Sequence, residues 1–310
     1  MTRGGVRTGP RVLVAIKRTS YRTFILDRRD PHLQKLLDRK DPTVRRLRRA
    51  HDDHETTVRE VKDALSSLGA HSELVEEVRG DVGASFDFVL TVGGDGTLLT
   101  ASHAVGPATP LLGVNSAPQS SVGFFCGARK GTVLATLRQA FDGKLLRSEL
   151  TRMRVELNGK VLSSRVLNDA LVCHASPAAT SRYILRIEHA NRVDEEDQRS
   201  SGLWIGPAAG STAAQKSAGG RVLALTSKRI QYVVREPYTP IGELFRFPVG
   251  TVAPDARIVI LSKMRDTKIF LDGPLISFDA TLGDVLTLRR SDEPLAVLGL
   301  SRNGGPKNRR

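Results

Sequence analysis

Near residue 150 the hydrophobic pattern changes its period, and a chain that does this has to fold as two differently built parts. Before that point, short β-branched runs alternate with stretches whose apolar residues recur at helical spacing. Residues 11–17 (RVLVAIK), 86–92 (FDFVLTV) and 111–114 read as strands. Val58, Val61, Leu65 and Leu68 form one stripe of a helix over 56–68, and Gly69 stops it. Thr132 is the expected N-cap of a further helix with Val133, Leu134, Leu137, Ala140 and Phe141 on one face, closed by Gly143. Beyond residue 150, Met153, Val155 and Leu157 alternate with Arg152, Arg154 and Glu156 before Asn158-Gly159, a type I′ hairpin signal. Runs at 183–188, 257–261, 268–271 and 285–288 continue in that style, with Asp272-Gly273-Pro274 as a turn. The expected architecture is an α/β N-terminal domain over 11–148 and a β-rich C-terminal domain over 149–292, with a return strand to the first domain at 293–301 and a disordered basic tail at 302–310.

With 310 residues, 40% apolar and 26% charged, the chain has the composition of a globular protein of about two domains, which excludes disorder, collagen and coiled coil as whole-chain readings. No apolar run approaches the roughly 20 residues of a membrane-spanning helix, and MTRGGVRTGP lacks a hydrophobic signal core, so the expectation is a soluble, cytoplasmic protein without a membrane partner. Cys126 and Cys173 are too few for a disulfide scaffold and read as reduced, buried thiols. The net charge of +14 favours polyanionic partners. Much of the excess sits at 39–49 and 302–310, read as a solvated helix face and a disordered end. RNP-type aromatics and C2H2 spacings are absent, so no specific nucleic acid is expected.

The chemistry is concentrated in TVGGDGTLL at 91–99. A strand that ends in Gly93-Gly94 and runs through Gly96 and Thr97 into a helix turns backbone N–H groups and a helix N-terminus toward one point, which suits phosphate. Asp95 is the odd member, since a carboxylate repels phosphate unless it serves a metal-associated group or accepts a proton. It is a candidate general base; the alternative is a plain glycine-rich turn with an exposed Asp. Gly94-Asp95-Gly96 is followed by Thr97, Leu98 and Leu99, so the third glycine of the dinucleotide fingerprint is missing. Gln215 before Lys216-Ser217 likewise excludes a P-loop.

Two further segments stand out. In GPAAGSTAAQKSAGG at 206–220, Gly210, Ser211 and Thr212 can open a short helix, and small residues either admit a ligand close to the backbone or serve tight packing. Asn168-Asp169, at a strand end, can hold a ribose or base edge or form a satisfied polar pair. His51 and His54 have metal-like spacing but read better as a solvated helix N-terminus with acids in its first turn.

Taken together, GGDGT at 93–97, LLGVNSAPQSSVGFF at 111–125, LND at 167–169, SSGLWIGPAAGSTAA at 200–214 followed by SAGG, and LDG at 271–273 resemble the NAD kinase family, in that family's order and over about residues 11–300. NDALV, SSGL, AAGSTAA and QYVVREP are most similar in wording to the branch that contains plant NADH-preferring kinases. The resemblance implies an NAD-kinase-like two-domain architecture. It also implies transfer of the γ-phosphoryl of ATP to the adenosine ribose 2′-hydroxyl of NAD or NADH, giving NADP or NADPH. On it, Asp95 is the proton acceptor, and Gly93, Gly94, Gly96 and Thr97 bind the phosphates of ATP. Asp95, Gly96, Asn115, Asn168, Asp169, Ser201, Ala209, Gly210, Ser211, Thr212 and Ala214 contact NAD(H). Mg²⁺ is carried with ATP rather than by a site of the protein alone, and the assembly is a homo-oligomer, dimer or tetramer. The sequence departs from the family's usual pattern at Asp169 for Glu, Ser201 for Asp, Ala209 for Thr and Ala214 for Tyr. A lipid kinase of the diacylglycerol type, which shares GGDG, and a non-catalytic basic nucleic-acid-binding module are the competing readings.

Overall fold

The structure is a computed structural model that describes residues 9–239 and 244–300, so the basic tail expected at 302–310 lies outside the described residues. The chain divides into one unit made of the residues up to 148 with those from 296 onward, and a second made of residues 149–295.

In chain order the first unit holds β1 (Arg11–Ile16), α1 (Pro31–Asp38), α2 (Leu47–Ser67), β2 (His71–Val75), β3 (Phe88–Gly93), α3 (Asp95–Ser102), β4 (Leu111–Asn115), β5 (Cys126–Arg129), α4 (Val133–Phe141) and β6 (Arg147–Leu150). β2, β1, β3 and β4 lie side by side and parallel, with β5 paired to β4. β3 is buried along its whole length, which is why FVLTV is apolar nearly throughout rather than alternating. Val12, Val14, Leu90, Val92, Leu112 and Val114 pack under Val58, Val61 and Leu65 of α2 and Val133 and Leu137 of α4. Within this arrangement the parallel strands end together, and the glycine-rich turn follows the last residue of β3.

α2 begins nine residues before the expected start at Thr56, and this overturns the reading of His51 and His54 as a solvated N-terminus. Both are buried in the body of the helix. His51 Nδ1 meets Thr19 Oγ1 at 2.8 Å and its ring stacks on Tyr21, while His54 Nδ1 meets Ser116 Oγ at 2.9 Å. The polar spacing that suggests a helix end arises because these side chains find hydroxyl partners in the packed face. Burial lowers the His54 pKa below the ordinary imidazole value. Thr132 is the N-cap residue of α4, as expected, but its side chain does not cap the helix: Oγ1 donates to the Arg129 carbonyl, and the Glu60 carboxylate of α2 accepts from Gly131 N–H at 2.8 Å and Val133 N–H at 3.1 Å. Leu134, expected on the packed face of α4, is exposed.

The second unit holds β7 (Met153–Leu157), β8 (Lys160–Val166), β9 (Ala170–His174), β10 (Ser181–His189), β11 (Arg192–Ser200), β12 (Leu203–Pro207), α5 (Ala214–Ser217), β13 (Ile230–Val234), β14 (Val249–Val252), β15 (Arg257–Ser262), β16 (Thr267–Leu271), β17 (Ile276–Ala280) and β18 (Val285–Arg290). They form two six-stranded sheets, β11-β10-β15-β18-β7-β8 and β14-β13-β12-β9-β16-β17. Their pairings are antiparallel, as the period-two pattern requires. Asn158 and Gly159 have φ of 50° and 78°, the left-handed pair a type I′ turn needs. Inward residues of both sheets, among them Val155, Tyr183, Leu185, Val172, Ile205 and Ile269, share one core. β19 (Leu295–Leu298) then joins the sheet of the first unit between β4 and β6, parallel to β4. Cys126 is buried, but Cys173 is only partly so, because it lies on the face of β9 turned away from this core. No helix among the described residues is long and apolar enough to cross a membrane.

Because Glu60 supplies the acceptor that an N-cap side chain would otherwise provide, Glu60→Ala is expected to lower stability by about 1 kcal/mol. Glu60→Gln, which keeps one acceptor oxygen, should lose less. Urea unfolding of the two variants beside the parent checks the order.

Candidate active site

In the first unit, Gly94 is the N-cap of α3 and Asp95 its first residue. The glycines here answer to close packing. A Cβ at Gly93 would lie 2.1 Å from Thr97 Oγ1 and one at Gly94 2.4 Å from Ser121 Oγ, whereas one at Gly96 would meet open space. Gly93 and Gly94 therefore let strand, helix and the 116–123 loop approach one another, and Gly96 lies on the open side. Thr97 N–H donates to Gly94 O at 3.0 Å, while the N–H groups of Asp95 and Gly96 begin α3 without an acceptor in the helix and present its positive end. Asp95 turns its carboxylate toward the next loop, with Oδ2 accepting from Phe124 N–H at 2.9 Å and Oδ1 from Phe125 N–H at 2.8 Å. These two bonds fix the carboxylate plane and leave each oxygen a further lone pair.

Asn115, at the end of β4, is buried and occupied with its own loop: Nδ2 donates to Ser121 O at 3.0 Å and Oδ1 accepts from Ala117 N–H at 3.3 Å. The neighbouring Ser116 donates its N–H to Gly93 O at 2.9 Å, and Thr57 Oγ1 of α2 donates to Ser116 O at 3.1 Å. Together with the His54 contact, these bonds tie the ends of β3 and β4 to α2. Gly93, Gly94, Asp95, Gly96, Thr97 and Asn115 thus belong to one constellation at the C-terminal edge of a parallel sheet, the place where open α/β sheets bind ligands.

In the second unit, Asn168 and Asp169 bridge β8 and β9, and the bridge is held by a residue far along the chain. Asp272 accepts at Oδ2 from Leu167 N–H at 2.8 Å and at Oδ1 from Asn168 N–H at 2.6 Å and Asp169 N–H at 3.0 Å. Its own N–H donates to Asp169 O at 2.9 Å. This grip directs the Asn168 carbonyl at the backbone of Gly206 and Gly210, where a Cβ would lie 2.3 and 1.7 Å from the oxygen. Gln215 Nε2 donates to the same carbonyl at 3.3 Å, Gln231 Nε2 to Gln215 Oε1 at 2.9 Å, and Arg221 N–H to Gln231 Oε1 at 2.8 Å, a buried relay of amides. Asn168 Nδ2 donates to Asp169 Oδ2 at 3.0 Å. Asp169 is 4% exposed, and burial, aided by the Asp272 charge, pushes its carboxyl up to about 7.

The small-residue segment is arranged differently from expectation. Residues 210–212 do not open a helix; they close a 3-10 turn over Ala208–Thr212, and α5 starts at Ala214. Ala209, Gly210 and Ser211 are buried, and Ser211 Oγ donates to Ala208 O at 2.7 Å and accepts from Leu223 N–H at 2.9 Å. Thr212 is exposed and Ala214 half-buried, so these two are the accessible members. Tight packing thus accounts for Gly210, whose small size serves the Asn168 carbonyl. Ser201 stands apart: it precedes β12 while the turn follows it, a separation of about 16 Å for five extended residues. Its N–H donates to Arg235 O at 2.9 Å, and the Arg235 guanidinium lies 5.8 Å from the Trp204 ring centroid.

Sequence reasoning assigned no role to Asp272, Gln215 or Gln231. The turn Asp272-Gly273-Pro274 marks the first, but nothing local shows that its carboxylate serves a strand end some hundred residues earlier. Among the described residues no group of three or more His, Cys, Asp or Glu is placed to hold a metal ion.

Gly210→Ala is expected to cost about 3 kcal/mol, since the added carbon meets backbone that cannot swing aside. Chemical denaturation measures it. For Asp169 the sign follows from its raised pKa: the folded state holds the proton more tightly than the unfolded chain, so this group favours folding as pH falls from above 7 toward 4. Asp169→Asn should therefore raise stability by about 1–3 kcal/mol at pH 8 and by much less at pH 5. Melting curves at the two pH values check it.

A family model described as the ATP-NAD kinase N-terminal domain matches residues 23–144. The probable NADH kinase of Oryza sativa subsp. japonica is 36% identical over 235 residues, 70% of this chain and 72% of that protein. The NADH kinase of Arabidopsis thaliana is 36% identical over 233 residues, 69% and 73% of the two chains. Among solved structures, an NAD kinase from Archaeoglobus fulgidus in complex with ATP superposes with a TM-score of 0.68 at 20% identity, covering 94% of this chain and 95% of its own. Yeast NADH kinase complexed with NADH gives 0.69 at 14% identity, covering 96% and 85%. These two show a shared fold, and the plant sequences show more: at 36% identity over about 70% of its length, the chain belongs to the NAD kinase family, alongside the plant NADH kinases.

Proposed function

We propose that this chain is an NAD(H) kinase, transferring the γ-phosphoryl group of ATP to the adenosine ribose 2′-hydroxyl of NAD or NADH and giving NADP or NADPH. The observation that carries this reading is Asp95: a carboxylate at the first residue of a helix, oriented by two backbone donors and with a further lone pair on each oxygen. In the step, a bond forms between the 2′-oxygen and the γ-phosphorus while the bond from that phosphorus to the β,γ-bridging oxygen breaks. The hydroxyl proton passes to Asp95. A positioned base of this kind supplies about 10²- to 10⁴-fold. The turn of Gly93, Gly94, Gly96 and Thr97 receives phosphate on the N-terminus of α3, and Mg²⁺ travelling with ATP neutralises charge on the phosphates. Asn168 and Asp169 hold the dinucleotide, with Asp272 fixing their backbone. The plant relatives, named as NADH kinases, support a dinucleotide acceptor over a lipid or a nucleic acid. The resemblance further implies a homo-oligomer, and sedimentation of the purified chain reads its assembly.

The test is incubation of the purified protein with Mg-ATP and NAD, NADH or a diacylglycerol, followed by identification of the phosphorylated product; NADP or NADPH is expected. Asp95→Asn should lower turnover about 10²- to 10⁴-fold while dinucleotide affinity stays within a few-fold. Since the amide of Asn sets an NH₂ against one of the two backbone donors, turnover is compared per folded molecule after a melting measurement. Near-normal turnover would remove Asp95 from the chemistry.

A further inference from the structure

β1 ends beside the glycine-rich turn. Lys17, the next residue, still donates its N–H to Val92 O at 3.0 Å, so the chain stays in register with β3 there. The backbone of Lys17 is therefore tied to β3. Its side chain leaves on the face of the sheet that carries α3: a Cβ at Gly93 would lie 3.2 Å from Lys17 Cβ and 2.1 Å from Thr97 Oγ1. Lys17 and Thr97 flank the Gly93 α-carbon, Thr97 from the first turn of the helix.

The neighbouring cation is already spent on structure, since Arg18 pairs with Asp27 at 2.9 Å and Glu76 at 3.4 Å. Lys17 is exposed and, among the described residues, has no carboxylate partner. A compact ammonium on a flexible stem, rooted in a strand end next to the N-terminus of α3, is suited to meet phosphate oxygens as a point charge. We propose that Lys17 binds the terminal phosphates of the donor nucleotide and compensates charge on the γ-phosphoryl group as it is transferred. It forms no covalent bond and moves no proton. The inference rests on the kinase reading of the preceding subsection.

Two measurements keep the two readings separate. The first is steady-state kinetics of the parent, Lys17→Met and Lys17→Arg, with KM determined for ATP and for NAD in turn. The second needs no catalysis: the rise in melting temperature on adding tripolyphosphate. Lys17→Met is expected to raise KM for ATP at least tenfold, to leave KM for NAD within twofold and to abolish the tripolyphosphate shift, while melting without ligand stays as in the parent. Lys17→Arg should recover most of both. A KM for ATP that does not move, equal changes in both KM values, or a tripolyphosphate shift that survives in Lys17→Met overturns the proposal. If the parent forms no NADP or NADPH but its tripolyphosphate shift disappears with Lys17, the kinase reading fails and the phosphate contact stands.

Discussion

A buried loop can be held rigid most economically by one carboxylate that accepts from several consecutive backbone N–H groups, because each bond is charge-assisted and all share one anchor. Asp272 does this for residues 167–169. Once that bend is set, the Asn168 carbonyl has one direction available, and the facing backbone can carry no side chain at Gly206 or Gly210. The Gln215–Gln231 relay then follows from the need to satisfy the carbonyl in a dry place. Asp169 is left buried close to the charge of Asp272, and this is why its proton is held up to about neutrality. Burial is the larger cause and the Asp272 charge the smaller, so the position of one carboxylate contributes to holding the proton of another.

The first unit uses the same chemistry in the opposite sense. There the carboxylate belongs to the glycine-rich turn itself, and the loop at Phe124 and Phe125 comes to it. Asp272 spends its oxygens on three donors in maintaining a shape, whereas Asp95 makes one bond per oxygen to protein donors. That difference in use, rather than any difference in residue type, separates a carboxylate that builds from one that can react.

What could be read from the amino-acid order was what is local. The run from β3 through Gly93 to α3, the hairpin at Asn158-Gly159 and the switch from helical to alternating periods each depend on residues within a few positions of one another. The residues missed were those whose partners lie elsewhere in the chain. His51 and His54 look like an exposed helix start until Thr19 and Ser116 are found against them. Asp272 and Gln215 are ordinary turn and helix residues until Asn168 is placed beside them. Gly210 admits two readings in the sequence, room for a ligand or tight packing; the structure sets a carbonyl oxygen against it, and no local rule distinguishes the two.

The capping of α4 by Glu60 bears on how the first unit keeps its register. A helix packed by ridges into grooves can find a second arrangement about one turn, roughly 5.4 Å, along that buries similar apolar area. A side chain on α2 that accepts from both Gly131 and Val133 removes that degeneracy, because sliding α4 by a turn would break both bonds at once. Lys130 reinforces the choice through its 2.6 Å contact with Asp53, about two turns earlier on α2. The pair of acidic residues acts as an index pin between two helices, and it transmits that index to β5 and β4, and so to the strand end from which Asn115 organises its loop.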